Sequence, residues 1–68
     1  MQRHFTAAVT QEGQWYVARC LEIEVTSQGR SVDEALGNLK EALELFFEGM
    51  SEVPELPVPI IAPVEIWI

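Results

Sequence analysis

The sequence predicts an α+β domain of order β-β-β-α-β, in which a mixed sheet carries one helix on one face. Before residue 30, two short segments alternate apolar and polar side chains, and the segment between them is rich in aromatic and β-branched residues, so all three are typical of strands. Residues 31–49 instead place apolar side chains at helical spacing, between a start signal and a stop signal. A last alternating segment follows a proline-rich stretch. We expect residues 1–68 to form a single domain.

The first two strands are expected at about residues 3–10 and 15–21, paired as an antiparallel hairpin. The first alternates, with Phe5, Ala7 and Val9 on one face, and the second is rich in aromatic and β-branched residues. Gly13 lies in the polar segment between them and can adopt the positive φ of a tight turn.

Both faces of the second strand are mostly apolar, and Arg19 lies on the same face as Trp15 and Val17. Because the face with Tyr16, Ala18 and Cys20 lacks a charge, we expect it to pack against the helix. The opposite face, with Trp15 and Val17, then has no helix to cover it. We expect it to be a contact surface for a second subunit or another partner.

A third strand is expected at about residues 23–28, with Gly29 interrupting the alternation before the helix. Glu22 and Glu24 recur at strand spacing, a pattern that fits either metal ligands or a solvated face. No histidine is nearby, so we favour the solvated face.

The helix is expected at about residues 32–48. Ser31 can cap its first turn, Glu34 completes a Ser-x-x-Glu capping box, and Gly49 suits the left-handed position after the last turn. A stripe about 140° wide at 100° per residue is apolar and must be buried. Its members are Val32, Ala35, Leu36, Leu39, Ala42, Leu43, Phe46 and Phe47.

Two helix residues depart from this pattern. Leu45 lies among charged residues outside the stripe, and Gly37 costs about 1 kcal/mol relative to alanine in mid-helix. Either both are tolerated imperfections, or this face contacts another chain, since an exposed leucine gains from burial and a glycine permits close approach.

All four prolines fall within residues 50–63, which are expected to be a semi-rigid connector. The alternative is a ligand for an aromatic-lined groove. Residues 64–68 alternate again and are expected to form a last strand, parallel to the first and beside it. A further hypothesis is that this strand adds to a neighbouring molecule.

Length and charge restrict the function. The 68 residues are near the lower limit for one core, and 49% are apolar, which makes self-association plausible. Four basic and eleven acidic residues give a net charge of −7, which disfavours binding of nucleic acid and favours a basic partner. Cys20 is the single cysteine, and no segment has the pattern of a leader or a membrane span, so we expect a cytoplasmic protein.

No catalytic pattern is present. The sequence lacks a phosphate-binding glycine loop, paired histidine or cysteine ligands and a nucleophile elbow. His4 is the single histidine, and we interpret it as an exposed strand residue. We therefore expect no enzyme, no cofactor and no metal.

Residues 16–48 resemble the HicB-like antitoxin family. The resemblance rests on a strand ending at Cys20, then Ser-Gln-Gly at residues 27–29, then Glu-Ala-Leu-x-Asn-Leu-Lys-Glu-Ala at residues 34–42. The first strand, the Gly13 hairpin and the closing Pro-Val-Glu-Ile at residues 63–66 also fit, so the resemblance covers nearly the whole chain.

This resemblance implies a partial ribonuclease H-like domain that forms a homo-oligomer and, in larger relatives, blocks a small basic ribonuclease toxin, HicA. Those relatives also carry a C-terminal DNA-binding segment. Because the sequence ends at Ile68 before such a segment, we expect no direct nucleic-acid binding. The alternative is an orphan oligomeric scaffold without a toxin partner. The expected contact residues are Trp15, Val17, Glu41, Glu44, Leu45, Glu48 and Trp67.

Overall fold

The computed structural model describes residues 3–50, 52 and 54–68. Within them the elements follow in the order β1 (Ala7–Glu12), β2 (Trp15–Cys20), β3 (Thr26–Gly29) and α1 (Val32–Phe47). The strands form an open antiparallel sheet of order β1-β2-β3, with the helix on one face. The α+β class, the three-strand meander and the helix are as predicted from the sequence.

The hairpin of β1 and β2 closes at Gly13, whose φ of 65° lies in the region that favours glycine. Ala7 pairs with Cys20 at one end of the ladder and Glu12 with Trp15 at the other. The first strand thus begins and ends later than the expected residues 3–10. His4 precedes it and is exposed, so the prediction that His4 lies in a strand is wrong.

The third strand is shorter than the expected residues 23–28 and includes Gly29, which we had expected to interrupt it. Residues 21–24 form a bend, and regular pairing resumes only at Thr26, opposite Arg19. Gly29 pairs with Tyr16 and is buried. A Cβ atom at Gly29 would lie 2.6 Å from the backbone nitrogen of Ala35, so the absent side chain lets the helix begin directly above the strand.

Both ends of the helix are fixed as its sequence indicates. The Ser31 hydroxyl oxygen accepts a hydrogen bond from the Glu34 N–H at 3.0 Å. The Glu34 carboxylate reaches back to the N–H of Arg30 at 3.1 Å rather than to that of Ser31, which is a shifted form of the capping box. At the other end, Gly49 has a φ of 83° and follows the C-cap residue Glu48.

The core lies between the helix and the face of β2 that we expected it to cover. Ala18 and Cys20 from β2 meet Ala35 and Leu39 from the helix, and all four are buried. Seven partly buried side chains surround them: Phe5, Ala7, Val9, Tyr16, Ile23, Val25 and Leu43.

The apolar stripe of the helix is only partly covered. Val32, Leu36 and Phe46, which we expected to be buried, are exposed. The helix packs mainly over β2 and β3 and only slightly over β1. The three strands do not extend beneath the whole stripe, so part of it remains in solvent.

The expected fourth strand is not formed, so the predictions of a mixed sheet and of a parallel strand beside β1 are wrong for the single chain. Residues 54–68 contain no strand, and residues 60–68 are all exposed. This segment gives the chain a long axis of 48 Å and a radius of gyration of 13.9 Å, against about 11 Å for a compact chain of this length. Alternation of apolar and polar residues shows that a segment can form a strand. It does not show whether the chain brings that segment to a sheet edge.

Candidate functional site

Four of the expected contact residues lie together on the outer side of the helix. Glu41, Glu44, Leu45 and Glu48 are separated by three or four positions, so one face of the helix presents them all. They line an open depression with a volume of ≈ 430 Å³. Leu45 is 69% exposed and is the apolar residue within this acidic surface. We call these four residues the acidic helix face.

Gly37 lies one helical turn before Glu41 and extends this face toward the start of the helix. A Cβ atom at Gly37 would meet nothing within 4 Å, so no contact inside the chain requires a glycine there. The missing side chain lowers the surface next to the acidic helix face. A partner can therefore approach the helix backbone closely at this turn.

Trp15 and Val17 lie on the opposite surface of the molecule, on the side of the sheet that the helix does not cover. We call this surface the open sheet face. The guanidinium carbon of Arg30 lies 5.4 Å from the centre of the Trp15 ring, a cation–π arrangement that partly covers the indole. Trp15 nevertheless remains 41% exposed, while Val17 is half-buried.

Trp67 belongs to neither surface. It lies in the extended segment of residues 54–68, which we call the arm, and is fully exposed. The structure therefore brings four of the seven expected contact residues together, places two on the other side of the sheet and leaves one in the arm.

A cluster around Glu22 was not predicted and contradicts our interpretation of this residue as part of a solvated strand face. Its carboxylate accepts hydrogen bonds from the Thr6 N–H at 2.8 and 3.0 Å and from the Thr6 hydroxyl at 2.9 Å. The Cys20 thiol lies 3.5 Å from the same group. The backbone bends away after β2, so the Thr6 N–H donates to the Glu22 carboxylate instead of to a backbone carbonyl of β2.

These contacts also set the protonation of Glu22. Partial burial alone would raise the pKa of its carboxyl group. The hydrogen bonds from the Thr6 N–H, the Thr6 hydroxyl and the Cys20 thiol outweigh that effect and lower the pKa below its ordinary value of 4.5. Thr6 and Glu22 are sixteen residues apart, and no sequence pattern links them.

The beginning of the arm lies against this end of the sheet. A cleft of ≈ 370 Å³ is lined by two segments and by Glu22; the segments are residues 3–6 and the arm residues Pro54, Leu56, Pro57 and Val58. The arm therefore begins beside the segment that precedes β1, where Leu56 is half-buried and Val58 is already 87% exposed.

Among the described residues, no group of three or more histidine, cysteine, aspartate or glutamate side chains is arranged to hold a metal ion. In the same part of the chain, no helix has the length and apolar character needed to cross a membrane.

Comparisons with models of protein families, with curated proteins and with solved structures found no match to this chain.

Proposed function

We propose that this chain is a HicB-like antitoxin, a non-catalytic cytoplasmic module that binds a small basic ribonuclease toxin through the acidic helix face. The observation that carries this proposal is the position of Leu45, an exposed apolar side chain within a depression whose other three lining residues are glutamates. An apolar centre with a charged rim is a common arrangement of protein-binding surfaces.

The charge of the chain supports a basic partner. With a net charge of −7, the chain attracts cationic proteins over several ångströms and speeds their encounter. The three glutamates of the acidic helix face concentrate this charge around Leu45. A ribonuclease that binds RNA through basic residues would be covered by such a surface at the site where it holds its substrate.

The resemblance of residues 27–29 and 34–42 to HicB-like antitoxins supplies the identity of the partner in this proposal. A finer description of the fold belongs to it as well. We interpret the three strands and the helix as most of a partial ribonuclease H-like domain, which residues 64–68 would complete as a fourth strand.

The proposal predicts that a neighbouring gene encodes a short basic protein with a catalytic histidine, and the test measures the affinity of that protein for this chain by titration calorimetry. Glu44→Lys should weaken binding at least about tenfold, because it places a positive charge at the centre of the contact. Leu45→Ala should cost more than about 1 kcal/mol of binding free energy.

Glu24→Lys is the matched control, since Glu24 is also exposed and its replacement changes the net charge by the same amount. It should reduce affinity far less than Glu44→Lys. Equal effects of the two substitutions would mean that only overall charge matters, and unchanged binding in Glu44→Lys and Leu45→Ala would place the contact elsewhere.

The second candidate function is an orphan oligomeric scaffold, and the exposed arm favours it. Four large apolar side chains lie in solvent at residues 64–68, an arrangement suited to contact between copies. The two functions differ in one observation. A scaffold would form its oligomer in the host without a basic protein bound, whereas an antitoxin would be isolated together with one.

A further inference from the structure

The last five residues of the arm have the side-chain pattern of a strand but pair with none of the three strands that the structure describes. Val64, Ile66 and Ile68 alternate with Glu65 and Trp67, so an extended backbone places the three aliphatic side chains on one face. Trp67 and Ile68 are fully exposed, and Val64 and Ile66 are 84% and 69% exposed. Both the apolar surface and the backbone hydrogen-bonding groups of this segment would gain from pairing with a sheet edge.

The edge of β1 is open to such a strand. The Leu21 N–H donates to the Thr6 carbonyl at 2.9 Å, so Thr6 faces β2. Because hydrogen-bonded and non-hydrogen-bonded pairs alternate in an antiparallel ladder, the backbone groups of Ala7, Val9 and Gln11 face outward. These three outward residues match a strand of about five residues, the length of residues 64–68.

The edge of β3 is less suitable. The Cys20 N–H donates to the Val25 carbonyl at 2.9 Å, and the same alternation then turns Thr26 and Gln28 outward. The side-chain amide of Asn38 already donates to the Gln28 carbonyl at 2.8 Å. A helix residue thus occupies one of the few acceptors on that edge, and β1 is the better site.

The helix also leaves apolar surface above the β1 edge. The Phe47 ring stacks on Phe5 at a centroid distance of 5.4 Å, which identifies the side of the helix that faces β1. At about 100° per residue, Val32 lies near the middle of the apolar stripe, and Leu36 lies on the same side as Phe47, opposite Asn38. Val32 and Leu36 are 43% and 38% exposed. A strand added to β1 would place its aliphatic face beneath them.

The arm does not reach this edge in its own chain. Its first residues lie in the cleft at the start of β1, and four prolines between residues 54 and 63 favour an extended path of about 28 Å. Residues 64–68 are consequently held in solvent, away from their own sheet. An extended proline-rich hinge favours exchange of the terminal strand between copies.

We propose that residues 64–68 of each copy add as a fourth strand to the β1 edge of a second copy, in a reciprocal exchange that closes a dimer. Two exchanged arms and the surfaces that they cover would bury on the order of 1,500 Å², the size of a stable interface. The acidic helix face is not part of this dimer contact, so a test of the strand exchange does not depend on whether the chain binds the proposed toxin.

Two measurements on the unmodified chain test this directly. Sedimentation equilibrium should give twice the 7.7 kDa of one copy. In a sample that mixes isotope-labelled and unlabelled chains, filtered nuclear Overhauser effects should connect Ile66 of one copy with Val9 of the other. A measured mass equal to one copy would overturn the proposal. A dimer in which every nuclear Overhauser effect between the arm and β1 arises within one chain would also overturn it.

Substitutions in the arm separate association from folding. Ile66→Asp should raise the dimer dissociation constant by about 100-fold or more, because it would bury a carboxylate, while the circular dichroism of the helix stays unchanged. Ile66→Val is the control and should keep the dimer. A dimer of unchanged affinity in Ile66→Asp would contradict the exchange.

A second pair of variants tests the edge. Gln11→Pro removes one outward N–H without removing a bond of the β1–β2 ladder, whereas Gln11→Thr keeps that N–H. The dimer dissociation constant of the proline variant should be clearly higher than that of the threonine variant. Equal dissociation constants for the two would mean that the edge of β1 is not used.

Discussion

At the scale of single residues, Glu22 links the chain segment before β1 to the bend after β2. Its carboxylate accepts the N–H and hydroxyl hydrogen bonds of Thr6, and these contacts lower its pKa below 4.5. Because the folded-state pKa lies below the unfolded value, the unfolded chain binds the proton more readily. The stabilisation is therefore complete above the unfolded pKa and is lost as the pH falls through the folded pKa.

Glu22→Gln should consequently reduce the free energy of unfolding by about 1 kcal/mol at pH 7, a value that allows for the partly exposed position. The difference from the unmodified chain should shrink as the pH falls below about 4.5. Urea unfolding at fixed protein concentration, between pH 7 and pH 3, measures it. Glu24→Gln is the control on the same bend, and an equal pH-dependent loss in that variant would show that the Thr6 contacts are not the cause.

Gly29 is the second residue on which the packing depends. A methyl group there would lie 2.6 Å from the Ala35 nitrogen and 2.8 Å from the Glu34 Cβ, and the helix backbone cannot move away without losing its packing on β3. We expect Gly29→Ala to reduce the free energy of unfolding by about 2–3 kcal/mol. Thermal unfolding followed by circular dichroism would measure this loss, and an unchanged midpoint would show that the helix shifts freely.

At the scale of elements, the helix offers the converse test. Gly37 lies in mid-helix with open space at its Cβ position, so Gly37→Ala should stabilise the free chain by about 0.5–1 kcal/mol. If this turn is where a partner approaches closely, the same substitution should weaken binding of the basic protein. If the variant is more stable and binds the basic protein equally well, Gly37 is a tolerated imperfection of the helix and not a site of close approach by a partner.

The elements also mark how far sequence reasoning extends. The Ser31 cap, the Gly13 turn and the face of β2 that meets the helix were predictable, because each depends on contacts between near neighbours or on periodicity. Two features were not. The contact of Thr6 with Glu22 in the bend at residues 21–24 joins residues sixteen positions apart, and the role of Gly29 depends on the closeness of the helix above it.

The candidate contact surfaces also divide into features that follow from periodicity and features that depend on distant parts of the chain. Helical spacing predicted that Glu41, Glu44, Leu45 and Glu48 share one face, and they do. The exposure of Val32, Leu36 and Phe46 was not predicted, because it depends on how far the sheet extends beneath the helix rather than on the pattern of the helix. The strand expected at residues 64–68 failed in the single chain for a related reason, since pairing needs an edge that this chain does not bring to it.

At the scale of the whole molecule, the chain separates two kinds of contact. The acidic helix face is charged, and we propose that it binds a basic partner. The last five residues of the arm are mostly apolar and the β1 edge is open, and we propose that the two pair between copies. Because they lie on different parts of the molecule, a dimer joined through its arms would leave both acidic helix faces open to partners.

The most direct test of the proposed function is the rate at which the proposed toxin, a basic ribonuclease expected from a neighbouring gene, cleaves RNA as this chain is added. The proposal predicts that cleavage stops near equimolar amounts, that Glu24→Lys inhibits almost as well, and that Glu44→Lys requires at least about ten times more protein. Cleavage that continues at full rate in an excess of the unmodified chain, or that is inhibited equally by both variants, would contradict the assignment of the acidic helix face.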